Sequence, residues 1–218
     1  MNMMQNKEAV PILYSFRRCP YAIRARYALN FNSKKVCLRE VLLKDKPKEL
    51  FHFTEKGTVP VLVLDDHSSI ISESLEIMSW SFSGKNDWTS LVTEESKKLI
   101  VENDQYFKYW LDRYKYFDRY PEYSKEYYRE KCETFLESIE ILLKNSLFLA
   151  GDSISFIDIA IFPFIRQFAL FDMNWFTTSP YKNTQNWLNT FLCQTDFNEI
   201  VMKKFKTWKE YNSEYLYP

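Results

Sequence analysis

The chain has 218 residues, enough for one large domain or two small ones, and its 46% hydrophobic content can fill a sizeable core. Its 29 basic and 29 acidic residues cancel, so nothing global draws it to nucleic acid or to an anionic membrane. With only 3 glycines and no Gly-rich phosphate loop, a nucleotide-cradling role is disfavoured.

No run reaches the length of a transmembrane helix, and the opening stretch MNMMQNKEAV lacks the apolar region of a signal peptide. Cys19, Cys37, Cys132 and Cys193 are scattered, without the spacing of a zinc site or a disulfide framework. The expected setting is the cytosol, with the cysteines as thiols.

In chain order, residues 10–16 read as a strand. Pro20 opens a helix that carries Ile23, Tyr27 and Phe31 at helical spacing. Residues 36–41 alternate like a strand, 47–53 suit a short helix, and 59–64 form a strand. A turn at 65–68 leads into 69–71, and 73–82 looks helical. The order βαβαββα predicts an α/β domain with helices on both faces of a small mixed sheet. Residues 83–87 suit a linker. Beyond Thr93 no strand run remains, and helical patterns cover roughly 93–120, 124–145, 155–171, 181–195 and 197–210. The expected domains are therefore 1–83, α/β, and 84–218, all-helical.

Ser15-Phe16-Arg17-Arg18-Cys19-Pro20-Tyr21-Ala22 sets a cysteine between a strand and a helix start. Unpaired N–H groups and the helix dipole favour thiolate there, and Arg17, Arg18, Arg24 and Arg26 add positive charge. A dithiol enzyme would carry its second cysteine at position 22, which is Ala22. Cys19 therefore needs an external thiol to resolve any mixed disulfide it forms.

Thr58-Val59-Pro60-Val61 opens a strand with proline, which suits a strand start or bend. A cis Val59–Pro60 bond would leave the Val59 backbone for a peptide-like ligand. Ser74 sits at a helix N-terminus, suited to a carboxylate, and Glu73 suits an ammonium. A thiol peptide with a γ-glutamyl end satisfies all three places.

Cys19-Pro20-Tyr21-Ala22, Thr58-Val59-Pro60-Val61-Leu62 and Glu73-Ser74, in this order, resemble the glutathione-binding thioredoxin-like domain of cytosolic glutathione transferases. The Cys-Pro-aromatic-Ala form resembles the omega class and related bacterial cysteine-type members. The resemblance spans the chain, since a helical domain follows. It implies glutathione as the cofactor, with Val59 and Pro60 at its cysteinyl backbone and Glu73 and Ser74 at its γ-glutamyl group. Lys46 matches an omega-class lysine near the glycyl carboxylate; its other reading is a solvated lysine before a helix. The resemblance also implies a homodimer.

In the helical part, Ser155-Phe156-Ile157-Asp158 has the capping-box pattern and needs no chemical role. Pro163 should kink its helix, and Phe162, Phe164, Phe168 and Phe171 suit the core. Phe107, Trp110, Tyr114 and Phe117 form one aromatic stripe; Tyr106, Tyr109, Tyr116 and Tyr120 form its neighbour. One stripe should pack inside, and the other should line an acceptor cleft or meet a second subunit. His52 and His67 read as exposed residues without metal spacing. Cys37, Cys132 and Cys193 read as packing residues, and Lys203-Lys204-Phe205-Lys206 as a solvated helix face.

The resulting expectation is an enzyme of glutathione-dependent thiol transfer. Cys19 acts on a small-molecule or protein disulfide, with no metal, nucleic acid or membrane involved. One alternative is conjugation through a Tyr14 or Ser15 hydroxyl. Two others are a regulator resembling the stringent starvation proteins and a carrier of apolar ligands.

Overall fold

The computed structural model describes residues 10–64, 69–83 and 92–218. The expected turn at 65–68 with His67, the linker positions 84–87 and most of the N-terminal stretch lie outside the described residues. The elements run β1 (Ile12–Ser15), α1 (Pro20–Phe31), β2 (Val36–Glu40), α2 (Leu50–Phe53), β3 (Val61–Val63), β4 (Ile70–Ile71) and α3 (Ser74–Phe82). The helices α4 (Glu94–Glu102), α5 (Lys108–Lys115), α6 (Lys125–Leu142), α7 (Phe156–Phe171), α8 (Met173–Thr178) and α9 (Lys182–Leu192) follow, then α10 (Trp208–Tyr211) and β5 (Tyr215–Tyr217).

Two compact units result: residues up to 83 together with 195–218, and residues 84–194. This corrects the assignment of all of 84–218 to a helical domain. Its last 24 residues return to the first unit, and the single helix expected at 197–210 is replaced by a π turn at Phe197–Val201, the short α10 and the strand β5. Residues 203–206 are extended rather than helical.

In the first unit β1 pairs parallel with β2 and antiparallel with β3. β4 pairs antiparallel with β3, and β5 antiparallel with β2, so the sheet order is β4-β3-β1-β2-β5. Side chains alternate across it. Leu13, Val36, Leu38 and Leu62 pack with Ala25 and Leu29 of α1 and Ile77 of α3. Tyr14, Val61 and Val63 pack with Leu50 and Phe53 of α2 on the opposite face. Because β4 runs parallel to β1, the helices that follow them, α1 and α3, run the same way. Both helix N-termini therefore lie at the C-terminal edge of β1, where Cys19 and Ser74 open them.

In the second unit the run expected at 93–120 is interrupted. A π turn at Asn103–Phe107 inserts a residue between α4 and α5, and α5 ends at Lys115. Phe107, Leu111 and Tyr114 are buried, Trp110 is half-buried, and Phe117, past the helix end, is exposed. Phe107 packs on Phe135 and Phe168, and Phe162 stacks on Phe191 with ring centroids 4.4 Å apart. In the neighbouring stripe Tyr106 and Tyr109 are exposed, and the Arg113 guanidinium lies 3.4 Å over the Tyr109 ring. α7 continues through Pro163, and its Ser155–Asp158 capping box forms. Asp158 also accepts from the Leu149 N–H (2.9 Å) and Trp187 Nε1 (2.8 Å). Among the described residues no helix is long and apolar enough to cross a membrane.

A device that no local pattern announces ties α6 to α9. Glu140 Oε1 accepts the N–H and Nδ2 of Asn183, both at 2.9 Å, and Oε2 accepts the N–H and Oγ1 of Thr184, both at 2.8 Å. One carboxylate thus satisfies orphan donors of the α9 first turn and opposes its dipole. The Glu140→Ala variant should lose about 2–3 kcal/mol of stability, the scale of charged hydrogen bonds at a part-buried site. An unfolding free energy from urea titration within about 0.5 kcal/mol of the parent would contradict this role.

Candidate active site

Cys19 is the N-cap of α1, with extended backbone at φ −79° and ψ 123°. Its N–H donates to the Phe16 carbonyl at 3.0 Å, and its own carbonyl accepts the Ile23 N–H at 2.9 Å. Pro20 follows at the first helical position, where its fixed φ suits the helix and its missing N–H costs nothing. The half-buried thiol donates to the Val59 carbonyl at 3.7 Å, so the first turn of α1 and the segment before β3 meet at sulfur. The Val59–Pro60 bond is cis.

The four arginines divide into two that reach the surface and two that are buried. Arg18 is exposed, with its guanidinium 5.4 Å over the Phe16 ring. Arg17 is half-buried, and its Nη1 reaches the Met202 carbonyl at 3.5 Å. Arg24 and Arg26 are fully buried. Arg24 Nη1 donates to Ser74 Oγ at 3.2 Å. Arg26 is ion-paired with Glu40 and donates from Nε to Ser15 Oγ at 2.8 Å and from Nη1 to the Val201 carbonyl at 3.2 Å. These side chains reach Ser74 of α3 and Glu40 of β2.

Glu73 is the exposed N-cap of α3 and makes no side-chain cap bond; Ser74 is buried as the first helical residue. The Arg24–Ser74 contact joins α1 to the α3 N-terminus. It leaves the Ser74 hydroxyl proton to donate elsewhere, because Ser74 Oγ is the acceptor of that bond. Lys46 Nζ donates to the Lys56 carbonyl at 3.3 Å and lies 6.0 Å over the Phe51 ring. It is thus tied to the turn that leads into Val59. Gly57 closes that turn at φ +55°, with Phe51 ring carbon 2.7 Å from where a Cβ would stand. Cys19, Val59, Pro60, Glu73, Ser74 and Lys46 all belong to the first unit.

The two hydroxyls that precede the thiol are engaged elsewhere. Tyr14 points to the opposite sheet face, accepts from Arg39 and packs against Trp208; burial pushes its phenol above the ordinary value, against the pull of Arg39. Ser15 is buried beneath Arg26.

The remaining cysteines differ from one another. Burial, with Glu214 beside it, pushes the Cys37 thiol up to about 11. Burial next to Glu133 and Asp112 pushes Cys132 well above its ordinary value. Cys193 is exposed, which corrects its reading as a packing residue. His52 is exposed on α2, and among the described residues no three His, Cys, Asp or Glu side chains gather as a metal site. An apolar groove of about 870 Å³ lies in the second unit, lined by Leu99, Ile141, Leu142, Leu149, Ile154 and Ile157, and holds none of the candidate residues.

Sequence reasoning named Arg26 as a charge near the thiol but missed Glu40 as its buried partner. A signal was present: Glu40 follows Val36 and Leu38 in the buried phase of β2. A carboxylate at an apolar position calls for a buried cation, and Arg26 supplies it from the buried face of α1.

The glutathione S-transferase N-terminal domain model matches residues 13–85, and the C-terminal domain model matches residues 87–194. The chain belongs to the glutathione S-transferase family. Both matches end before 195, where the chain returns to the sheet unit. Glutathione S-transferase omega-1 of Sus scrofa is 27% identical over 168 residues, which cover 74% of this chain and 68% of that protein. Two solved transferases share the fold. One is a family member from Pseudomonas fluorescens with two glutathione bound (14% identity, 88% of this chain and 92% of that one, TM-score 0.73). The other is a transferase from Pseudomonas putida with one glutathione disulfide bound per subunit (16% identity, 92% and 94%, TM-score 0.73).

Proposed function

We propose that this glutathione S-transferase is a cysteine-type member that binds glutathione and transfers it between thiols through Cys19. The observation that carries the reading is the Cys19 thiol at the α1 N-terminus, 3.7 Å from the Val59 carbonyl, with the hydroxyls of Tyr14 and Ser15 both engaged elsewhere. Sulfur is thereby the one nucleophilic side chain between β1 and α1. The helix dipole and the N–H groups of the first turn favour its anionic form.

The Cys19 thiolate attacks the glutathionyl sulfur of a mixed disulfide. A Cys19–glutathione disulfide forms and the substrate leaves as thiolate. A second glutathione thiolate then attacks the glutathionyl sulfur, forms glutathione disulfide and restores the Cys19 thiolate. No internal thiol resolves the adduct, since position 22 is Ala22.

Glutathione is held along the C-terminal edge of β1. The Val59 backbone pairs with its cysteinyl unit beside Pro60. Glu73 takes the α-ammonium and Ser74 the α-carboxylate of the γ-glutamyl unit, with the α3 N-terminus behind them. Lys46 meets the glycyl carboxylate. The omega-1 relative and the glutathione-bound transferases support this choice of ligand.

The reading is tested by turnover of a glutathionylated small disulfide beside conjugation of a chloronitrobenzene. Disulfide turnover should exceed conjugation by about tenfold or more, because a cysteine at this place bonds to glutathione rather than activating it. Conjugation alone, undiminished in Cys19→Ser, would replace thiol transfer with a hydroxyl-type mechanism.

A further inference from the structure

The Arg26–Glu40 pair is a buried ion pair with no part in the chemistry so far described. Arg26 is fully buried and Glu40 is 6% exposed. Such a pair recovers little stability after its desolvation, and an apolar pair of like volume often serves as well. What an apolar pair lacks is an acceptor. Glu40 Oε1 accepts the backbone N–H of Arg17 at 2.8 Å, while Oε2 is held by Arg26. Arg17 lies in the turn closed by the Cys19 N–H to Phe16 carbonyl bond, two residues before the thiol.

Three further contacts fix the pair itself. Ser15, the register partner of Glu40 across β1 and β2, accepts from Arg26 Nε. The Val201 carbonyl of the C-terminal segment accepts from Arg26 Nη1. Tyr217, the last residue of β5, donates its hydroxyl to the Arg26 carbonyl at 2.9 Å. The guanidinium fork thus locks the carboxylate between the end of β1, the end of β2 and the returning chain.

We propose that Glu40, held by Arg26, is a positioning residue for Cys19: its carboxylate pins the Arg17 peptide and so sets the turn that presents the thiol at the α1 N-terminus. The proposal rests on the reading of Cys19 as the reactive group. It also gives the C-terminal segment a task at the site, since the Val201 carbonyl and Tyr217 hydroxyl hold the residue that holds Glu40. A misplaced nucleophile costs up to about a hundredfold in rate without loss of the group itself.

The test compares Glu40→Ala with Glu40→Gln in the full chain, each in a Cys193→Ser background. The readouts are the iodoacetamide rate at Cys19, the melting temperature, and kcat and KM for glutathione in thiol transfer. Both variants leave Arg26 without its counter-charge, so both lose stability. Only Gln keeps an oxygen for the Arg17 N–H. Glu40→Ala should alkylate about tenfold or more slowly, with kcat reduced and KM for glutathione nearly unchanged; Glu40→Gln should stay within about threefold of the parent. A purely structural pair would make reactivity follow melting temperature in both variants alike. If either single variant does not fold, Glu40→Leu with Arg26→Met and Glu40→Gln with Arg26→Gln make the same comparison without a buried lone charge. A fast parent with Glu40→Ala equally fast, or Glu40→Gln as slow as Glu40→Ala, overturns the proposal alone. A parent whose Cys19 reacts no faster than glutathione itself overturns the thiol reading and the proposal together.

Discussion

Iodoacetamide at pH 6 should label Cys19 and leave Cys37 and Cys132 untouched. The contrast comes from environment. Cys19 caps a helix N-terminus, where the dipole and N–H groups stabilise a thiolate. Burial and the neighbouring Glu214 both disfavour the Cys37 anion and push its thiol up to about 11. Cys132 is more deeply buried, beside Glu133 and Asp112. Both shifts are upward, so both thiols are overwhelmingly neutral at pH 6, and their thiolate fraction grows only as the pH rises toward their raised values. Cys193 is exposed and competes for reagent, so the measurement belongs in a Cys193→Ser background. One adduct, at Cys19, is the expected mass at pH 6, and Cys19→Ser should show none.

The same residue carries the largest kinetic effect. Replacing a nucleophile that forms the covalent intermediate should cost roughly a thousandfold or more in thiol transfer. Oxidised glutathione should add one glutathionyl group, at Cys19, and the adduct should persist until external thiol arrives, since Ala22 offers no internal sulfur. Labelling at pH 6 shared among the cysteines, with transfer retained in Cys19→Ser, would remove the thiol from the mechanism.

The parts of this molecule that were legible in the sequence are those encoded locally. Cys19-Pro20 announces a strand-to-helix junction because proline at the first helical turn leaves a mark on neighbouring residues alone. Alternation in β2 and the capping box of α7 are likewise short-range. The parts that escaped are long-range. β5 is three residues, Tyr215-Leu216-Tyr217, followed by proline, and it becomes a strand only through β2, some 180 residues earlier. The π turn at Asn103–Phe107 and the end of α5 at Lys115 break the single long helix expected there, so Phe117 falls past the helix end. Arg24 and Arg26 look like charges around a thiol until tertiary packing shows the acceptors they reach, Ser74 and Glu40. Cys19 and Ser74 were placed at helix starts by local signals, whereas the pairing of Glu40 with Arg26 joins β2 to α1 and shows only once both are folded.

Glu73→Ala should weaken glutathione binding by about ten- to a hundredfold, the loss of one charged hydrogen bond of about 1.5–3 kcal/mol. The structure makes this variant a clean probe. Glu73 is exposed and makes no side-chain cap bond to α3, so its removal leaves stability within about 0.5 kcal/mol. Ser74→Ala should weaken binding on a similar scale but also lower stability, since Ser74 is buried and accepts from Arg24. The pair of variants therefore separates ligand contact from folding. Binding lost in both, with stability lost only in Ser74→Ala, is what a γ-glutamyl site at the α3 N-terminus requires. The thiol is a further control: Cys19 alkylation without glutathione should be unchanged in Glu73→Ala, because Glu73 is the N-cap of α3 and its proposed role is toward the ligand. Calorimetric titration of glutathione into both variants reads the affinities directly. Parental affinity in both would move the γ-glutamyl end away from Glu73 and Ser74, and with it the orientation in which the ligand sulfur meets Cys19.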